Sequence, residues 1–266
     1  GVIEVEQQRL TIRDLLSVGQ TNLASVPYIQ ETSFTNAATT VAEEGEKPEA
    51  TFALQDEFAP VRKIAVIAKV TDEMWNDFPT LRDYINSRLR FMVQQREEAQ
   101  LLSGAGTGSE ITGILTASIQ SQALGSDTHA DAVHKAITKV RSVGFFEPDG
   151  AVFHPDDWQQ MRLAKDDNNQ YYGGGPFSGP YGQGAFMAAE RYWGLPGVVT
   201  TAITSGTGLG GAFKLGAQIW DREGITVDAT NSDEDDFRYN RMAIRVEERL
   251  ALAIYRLNAF CKVTGI

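Results

Sequence analysis

One lysine stands out among the side chains that could carry chemistry, because of its surroundings. Lys47 lies in EEGEKPEATF, residues 43–52, among four glutamates and directly before Pro48. A polar stretch that contains proline is typical of a solvated turn rather than of a packed segment. An amine at such a tip can serve solubility alone, or it can attack a carbonyl group once it is neutral. The residues themselves leave both interpretations open.

Other patterns that can indicate chemistry are weak. GAGTGS (104–109) follows a predicted helix, whereas a phosphate-binding loop follows a strand, and neither it nor SGTGLGG (205–211) carries the lysine of a Walker sequence. His129 and His134 are five residues apart, so a solvated helix face is favoured over a metal site. No GxSxG elbow occurs. The sequence therefore predicts no metal, no cofactor and no enzyme that acts on a diffusible substrate.

Composition excludes further classes of protein. The net charge of -11 disfavours a protein that grips nucleic acid through its phosphates. The single cysteine, Cys261, lies in the apolar run NAFCKV and is predicted to be a buried, inert thiol. Without a disulfide framework, we expect folding in a reducing cytoplasm. No run of about eighteen apolar residues is present, so no membrane-spanning segment is predicted.

The first half of the chain predicts a helix, a long hairpin and a second, longer helix. TIRDLLSVG (11–19) predicts a short helix that Gly19 ends. VPYIQETSF, TFALQDEF and VRKIAVIAKV alternate like strands, so we expect a β-hairpin over residues 26–70 with Lys47 at its projecting tip. Apolar residues at helical spacing follow Pro79 and stop before Gly104, which predicts a helix roughly 36 Å long.

The second half mixes the two element types. DTHADAVHKAITKVRSVG and HPDDWQQMRLAK predict helices, and residues 166–184 predict a long glycine-rich loop. AFKLG, AQIW and ITVDAT are short strand candidates, and the run that starts at FRYNRMAIRV predicts a long strand. Because strands and helices do not alternate as βαβ units, the predicted class is α+β.

Several segments together resemble one family, the major capsid proteins of tailed bacteriophages with the Hong Kong ninety-seven-type fold. They follow the family's order over nearly the whole chain. The segments are RLTIRDLLSVGQT, KPEATF, DYINSRL, EEAQLLSGAGTG, HPDDW, YWGLPGV, QIWDREGITV and EERLALAIYR. On this basis the chain is identified as a member of that family.

The resemblance implies a division of the chain into regions. The N-terminal arm would be residues 1–25 and the extended hairpin loop residues 26–70. A peripheral domain with the long spine helix would take 71–117 and 226–266, and an axial domain would take 118–225. The glycine-rich loop of the axial domain would then meet its copies at the capsomer axis.

The resemblance also implies the function and the partners. The chain would be a structural protein of a virion capsid that self-assembles into hexamers and pentamers, assembled in the host cell cytoplasm. The shell would enclose double-stranded DNA without specific binding, and it would work with a portal, possible decoration proteins and a maturation protease that acts on the precursor. The absence of an initiator methionine fits such proteolysis or a trimmed chain. An encapsulin-type nanocompartment or a gene-transfer-agent capsid are the alternatives.

Some members of this family join their subunits by a self-catalysed lysine–asparagine isopeptide bond, with a glutamate assisting. Matching KPE of the hairpin tip places the lysine at Lys47, and matching EERLALA places the asparagine at Asn240 and the glutamate at Glu247. Asn240 and Glu247 are seven residues apart, which puts them on opposite faces of an unbroken strand. We therefore expect each site to draw on several subunits and to form only after assembly. The alternative is a solvated Lys47, an ordinary strand residue at Asn240 and a salt-bridged Glu247.

Overall fold

The strands of the chain form three sheets within the part that the structure describes. This computed structural model describes residue 8 and residues 12–77, 79–166, 168–171, 191–233 and 235–266. The helices are α1 (Ile12–Leu15), α2 (Asp72–Asp77), α3 (Pro79–Ser103), α4 (His129–Lys139), α5 (Pro155–Leu163) and α6 (Phe213–Gly216). The strands are β1 (Ser17–Gln20), β2 (Ser25–Thr35), β3 (Thr51–Pro60), β4 (Arg62–Thr71), β5 (Gln120–Ala123), β6 (Gly150–Phe153), β7 (Arg191–Tyr192), β8 (Leu195–Val199), β9 (Thr207–Gly211), β10 (Ala217–Thr230), β11 (Arg241–Ile254) and β12 (Phe260–Thr264). The predicted α+β class is confirmed.

A four-stranded sheet packs against the long helix. Its strand order is β1-β10-β11-β4, and α3 lies on one face, where Leu89 and Val93 contact Ile244 and Val246 of β11. The predicted spine helix is confirmed: α3 begins at Pro79 and ends one residue before Gly104. The opposite face of the sheet carries the alternate residues of β4 and β11, and among them are the charged Lys63, Arg245 and Glu247.

The hairpin is shorter than predicted. β2 and β3 pair antiparallel from Ser25 opposite Pro60 to Thr35 opposite Thr51. β4, which was predicted to belong to the hairpin, instead pairs with β11 along its entire length. The reason is burial, because the apolar side chains that alternate along β4 pack against the core that α3 and β11 share. The hairpin therefore consists of β2, β3 and the residues between them.

A six-stranded sheet, with order β5-β12-β9-β6-β8-β7, forms a second body with α4 and α5. β12 comes from the C-terminus, where Leu257–Ala259 form a 3-10 turn that breaks the predicted long strand after β11. AQIW and ITVDAT were predicted to be two short strands, but they belong to one 14-residue strand, β10, which has two bulges. The predicted domain boundary at 225/226 therefore falls inside this strand. The AFKLG strand prediction is wrong, because the Asp149 carboxylate accepts hydrogen bonds from Phe213 N and Lys214 N (2.7 and 3.1 Å) and starts helix α6 there.

The N-terminal segment differs from its prediction. Helix α1 ends at Leu15, and Gly19 lies in β1, which pairs parallel with β10. A Cβ at Gly19 would lie 3.0 Å from the Trp220 ring, so the glycine permits a close approach between strands. Residues 1–7 and 9–11 of the predicted arm, and residues 172–184 of the predicted glycine-rich loop, lie outside the described residues.

One arginine joins this segment to the body. The Arg13 guanidinium forms ion pairs with Glu97 of α3, Asp221 of β10 and, at 3.4 Å, Glu248 of β11. The Glu97 and Glu248 carboxyls are buried, with 4% and 3% of their side chains exposed. Burial raises the pKa of Glu248 to about 7, the charges of Glu97 and Asp221 add to the shift, and Arg13 opposes it. Burial also raises the pKa of Glu97. The ion pairs of Arg13 with these three acidic residues therefore join α1, α3, β10 and β11.

This arrangement predicts a pH-dependent loss of stability on substitution of Arg13. Glu248 binds its proton more tightly in the folded chain than in the unfolded chain, so the free energy of unfolding falls as pH rises from about 4.5 through 7. Arg13→Met removes the opposing charge, which costs about 3 kcal/mol near pH 8 because buried carboxylates lose their partner. Near pH 5 the loss is smaller, because the carboxyls take up protons.

The measurement is urea unfolding of the unassembled subunit at both pH values. Arg162→Met, which changes an exposed arginine of α5, is the matched control and should alter stability little at either pH. Equal destabilisation by Arg13→Met near pH 5 and near pH 8 would contradict this account of the cluster.

Candidate functional site

Lys47 lies between the two strands of the hairpin, at its exposed end. The stretch from 36 to 50 that joins β2 to β3 has little regular structure, and its turn is closed by a hydrogen bond from Gly45 N to Ala42 O (3.0 Å). Glu44 has a φ of 65°, which is typical of such turns. Lys47 makes no hydrogen bond or ion pair with any residue that the structure describes. Its amine is accessible to a second molecule.

Asn240 lies outside the strand in which the sequence placed it. It is the last residue of the loop that connects β10 to β11, it is exposed, and its φ is 48°. Asparagine adopts this left-handed conformation more readily than most residues. Its backbone oxygen accepts a hydrogen bond from Asp72 N (2.8 Å), which ties the end of the loop to the end of β4. The prediction of an unbroken strand through Asn240 is wrong.

Glu247 lies within β11, opposite Thr226 of β10 and Ala65 of β4. Only 12% of its side chain is exposed, and its Oε2 lies 3.1 Å from Lys63 Nζ and 3.4 Å from Arg245 Nε. Both cations therefore hold the same oxygen of the carboxylate. The surroundings are charged rather than apolar, and the Glu247 salt bridge is the feature that the alternative interpretation of this residue expects.

The three residues do not meet within one chain. From Arg241, the first residue of β11, to Glu247 the strand rises about 20 Å. A carboxamide and a proton acceptor that serve one reaction must lie within hydrogen-bond reach of it. Asn240 and Glu247 of one chain thus belong to different sites if they react at all. This conclusion rests on the distance along β11. It does not rest on the prediction that Asn240 and Glu247 lie on opposite faces of one strand.

Exposed aromatic and aliphatic side chains accompany Lys47 and Asn240. Phe52 and Leu54 follow Lys47 on β3, and Phe237 and Tyr239 precede Asn240. FRYN was predicted to belong to a strand, so the exposure of Phe237 and Tyr239 was not predicted. Lys63 and Arg245 were likewise missed as neighbours of Glu247. The alternation of β4 and β11 could have placed them on its face, but only once the register between the two strands was known.

The other sequence candidates have structural explanations. The GAGTGS loop is filled by the protein itself, because the Glu110 carboxylate accepts a hydrogen bond from Ala105 N (3.1 Å). SGTGLGG contributes to strand β9. His134 packs edge-on against Trp193, with ring centroids 4.8 Å apart.

Three further observations concern groups outside this site. Cys261 is buried as predicted, and burial raises its pKa to about 11. Within the described ranges no group of three or more His, Cys, Asp or Glu side chains could hold a metal ion. In the same ranges no helix combines the length and the apolar character needed to cross a membrane.

Known proteins resemble this chain over its whole length. A family model described as the phage capsid family matches residues 1–265. The major capsid protein of Enterobacteria phage HK97 is 39% identical over 267 residues, which cover 99% of this chain and 67% of that protein. Among solved structures, the capsid of a native GTA particle superposes with a TM-score of 0.81 at 16% identity, covering 99% of this chain and 92% of that one. A Gordonia phage Cozz structure gives 0.75 at 15% identity, with 99% and 89% covered.

The two kinds of comparison carry different weight. The low identities to the solved structures show the fold alone. The sequence matches go further, because they cover nearly the whole chain. With a family model over residues 1–265 and a relative of 39% identity along nearly its entire length, this chain belongs to the phage capsid family.

Proposed function

We propose that this chain is a major capsid protein whose copies form the hexamers and pentamers of an icosahedral shell around double-stranded DNA. Members of the family are structural proteins that assemble into multimeric shells, and the chain's homology to a major capsid protein supports the same role here. The proposal extends to a portal, possible decoration proteins, a maturation protease that acts on a precursor, and assembly in the host cytoplasm. We also propose that residues 118–225 form the axial domain, which faces the capsomer axis.

The single observation that supports the proposal of assembly is the exposed apolar face of the hairpin. One face of the β2–β3 ribbon packs on the body through Val26 and Ala59. The other face presents Ile29, Leu54 and Phe58 to solvent, although each is a large apolar residue. A two-stranded ribbon is marginal by itself, and exposed apolar patches of this kind mark surfaces that another molecule covers. A second copy of the chain is the proposed cover.

A gene-transfer-agent capsid is the second candidate, because a GTA particle is among the solved structures with this fold. An encapsulin-type compartment is an alternative of the same architecture. Electron microscopy of the expressed chain tests assembly, with closed shells as the expected result. Particles that contain DNA behind a portal would exclude the encapsulin alternative, and a persistent monomer at high concentration would contradict the shell itself.

We further propose that assembled subunits form an isopeptide bond between Lys47 and Asn240, with Glu247 as the proton acceptor. Glu247 takes a proton from the lysine ammonium, and the neutral amine then attacks the Asn240 carboxamide carbon. The new C–N bond forms, and the attacking nitrogen passes its second proton to the –NH₂ group of Asn240. The C–NH₂ bond then breaks, and the departing ammonia takes the proton that Glu247 returns. The exposed amine of Lys47 and the exposed carboxamide of Asn240 support access between copies. The ion pairs with Lys63 and Arg245 hold the Glu247 carboxylate in a fixed position on β11.

The separation of these residues supports the link to assembly. Lys47 contacts neither partner within the chain, and about 20 Å of strand separates Asn240 from Glu247. A site that needs up to three subunits is inert in the free subunit, which prevents premature reaction. Neighbouring copies would also supply the apolar surface that excludes water from the amine and so favours its neutral form.

Deletion of residues 36–52 tests the role of the hairpin. We expect the subunit core to keep its free energy of unfolding, because this segment contributes no residue to the main hydrophobic clusters. Shells should form poorly or dissociate at lower denaturant concentration, as electron microscopy and light scattering would show. Lys47→Ala is the control and should assemble normally. Shells of the deletion variant that equal wild type in yield and stability would contradict the proposal.

Charge predicts weak interaction with DNA. With a net charge of -11 the free subunit has few means to neutralise phosphates, so we expect at most weak binding that weakens further as salt rises. Titration of fluorescent duplex DNA by fluorescence anisotropy at two salt concentrations measures this. Tight, sequence-specific binding at physiological salt would be inconsistent with a shell that only confines its genome.

Denaturing electrophoresis of mature shells tests the crosslink. Wild-type shells should give ladders or material too large to enter the gel, and mass spectrometry should show a loss of about 17 Da per bond as ammonia leaves. Lys47→Ala and Asn240→Ala should each restore a single monomer band, because each removes one reacting group. Glu247→Gln should still assemble into shells, but its crosslinks should form far more slowly than those of wild type. A clean monomer band from mature wild-type shells would leave Lys47 as a solubilising tip.

A further inference from the structure

The loop that presents Asn240 is closed by a buried carboxylate. It connects Thr230 of β10 to Arg241 of β11 and contains a series of tight turns, with hydrogen bonds from Asp236 N to Asp233 O (2.8 Å) and from Arg238 N to Asp235 O (2.9 Å). Among the described residues of this polar segment Asp236 is the exception, because only 2% of it is exposed. Its backbone oxygen accepts a hydrogen bond from Arg241 N at 2.9 Å, directly after Asn240.

Lys69 of β4 supplies the charge that this carboxylate needs. Lys69 Nζ lies 2.9 Å from Asp236 Oδ2 and 3.1 Å from Asp233 Oδ2. The hydrogen bonds from Lys69 to Asp236 and Asp233 raise the pKa of its amine. A buried carboxylate without a cation is strongly destabilised, so we expect loss of Lys69 to destabilise this conformation of the loop. Lys69 lies opposite Ala243 of β11, three residues beyond Asn240.

A second contact from the same region fixes the end of the loop. Asp72 follows β4, and its N–H donates to Asn240 O at 2.8 Å. The loop is therefore anchored at Asp236 by a side chain and at Asn240 by a backbone hydrogen bond, both from the segment 69–72. At the second anchor, the left-handed backbone conformation of Asn240 sets the direction in which its side chain leaves the backbone.

We propose that Lys69 is a positioning residue for the crosslink: its ion pair with Asp236 holds the loop so that the Asn240 carboxamide meets the lysine of another copy. The inference rests on the proposed isopeptide reaction and adds a residue to it. Lys69 takes no part in bond formation. Its effect passes through Asp236 and the backbone to Asn240, and a displacement of about 1 Å at a reacting group can slow a reaction about 100-fold.

The experiment compares the rate of crosslinking in assembled shells of four proteins. Lys69→Met removes the charge but keeps an unbranched side chain, and Lys69→Arg keeps the charge. Lys135→Met is the matched control, because Lys135 also forms a surface ion pair, with Asp127 at 2.6 Å, but lies on α4. We expect Lys69→Met to assemble and to crosslink about 10–100-fold more slowly. Lys69→Arg and Lys135→Met should stay near the wild-type rate.

Hydrogen exchange in the unassembled subunit separates positioning from general destabilisation. In Lys69→Met the amides of Tyr239 and Arg241 should exchange faster, while amides of the spine helix keep their protection. Should Lys69→Met prevent folding, Asp233→Asn serves instead, because it weakens the anchor but keeps the Asp236 pair, and it should slow crosslinking by a smaller factor.

The outcomes distinguish this inference from the reaction on which it rests. Wild-type shells that never crosslink would overturn the isopeptide reaction and, with it, the role of Lys69. Wild-type shells that crosslink while Lys69→Met crosslinks equally fast would overturn the role of Lys69 alone. A slow Lys69→Met that Lys69→Arg fails to restore, with exchange raised throughout the subunit, would assign Lys69 to general stability and would also contradict the proposal.

Discussion

The charge cluster around Arg13 is the interaction on which the arrangement of the body depends. It links the N-terminal helix, the spine helix and the two longest strands through carboxylates that are largely withdrawn from water. Because Asp221 and Glu248 lie on β10 and β11, the same cluster anchors the hairpin whose far loop presents Asn240. The cluster holds more acids than bases, so its stability depends on protonation, and a change in the N-terminal segment would alter the electrostatic balance of the whole sheet.

The subunit holds the three residues of the proposed crosslink in different ways. The sheet holds Glu247 and the loop with Asn240 in fixed places some distance apart, while Lys47 projects on a ribbon with one apolar face uncovered. In the proposed reaction, each group would be inert within one chain, because it lacks its partners there. Assembly would supply them together with the apolar surface that the free subunit lacks. In the proposed shell, the same exposed face would serve both the association of copies and the chemistry between them.

The sequence predicted the elements better than their partners. Pro79, the helical spacing and Gly104 define the spine helix locally, and the alternation of β3 and β4 defines two strands. What β4 pairs with is decided by the long-range core around Leu89 and Val246, which no local pattern contains. AFKLG is helical for a similar long-range reason. The carboxylate that caps this helix belongs to Asp149, which lies 64 residues earlier in the chain.

The candidate site shows the same limit. Lys47, Asn240 and Glu247 were found through a family resemblance in short motifs, and their roles remain a proposal. Lys63 and Lys69 were not found, because their relation to Glu247 and Asp236 depends on the register of β4 against β11. The left-handed conformation of Asn240 was also beyond the sequence, since FRYN is compatible with a strand as well as with a turn.

The central claim is that the reactive groups come together only between copies of the chain. A cryo-electron microscopy reconstruction of assembled shells measures this directly. The account predicts that the hairpin tip of one copy lies on another, with continuous density from Lys47 Nζ to the Asn240 side chain of a different subunit and with a Glu247 carboxylate within hydrogen-bond reach of that bond. Closed shells in which every Lys47 points into solvent, far from any Asn240, would contradict it.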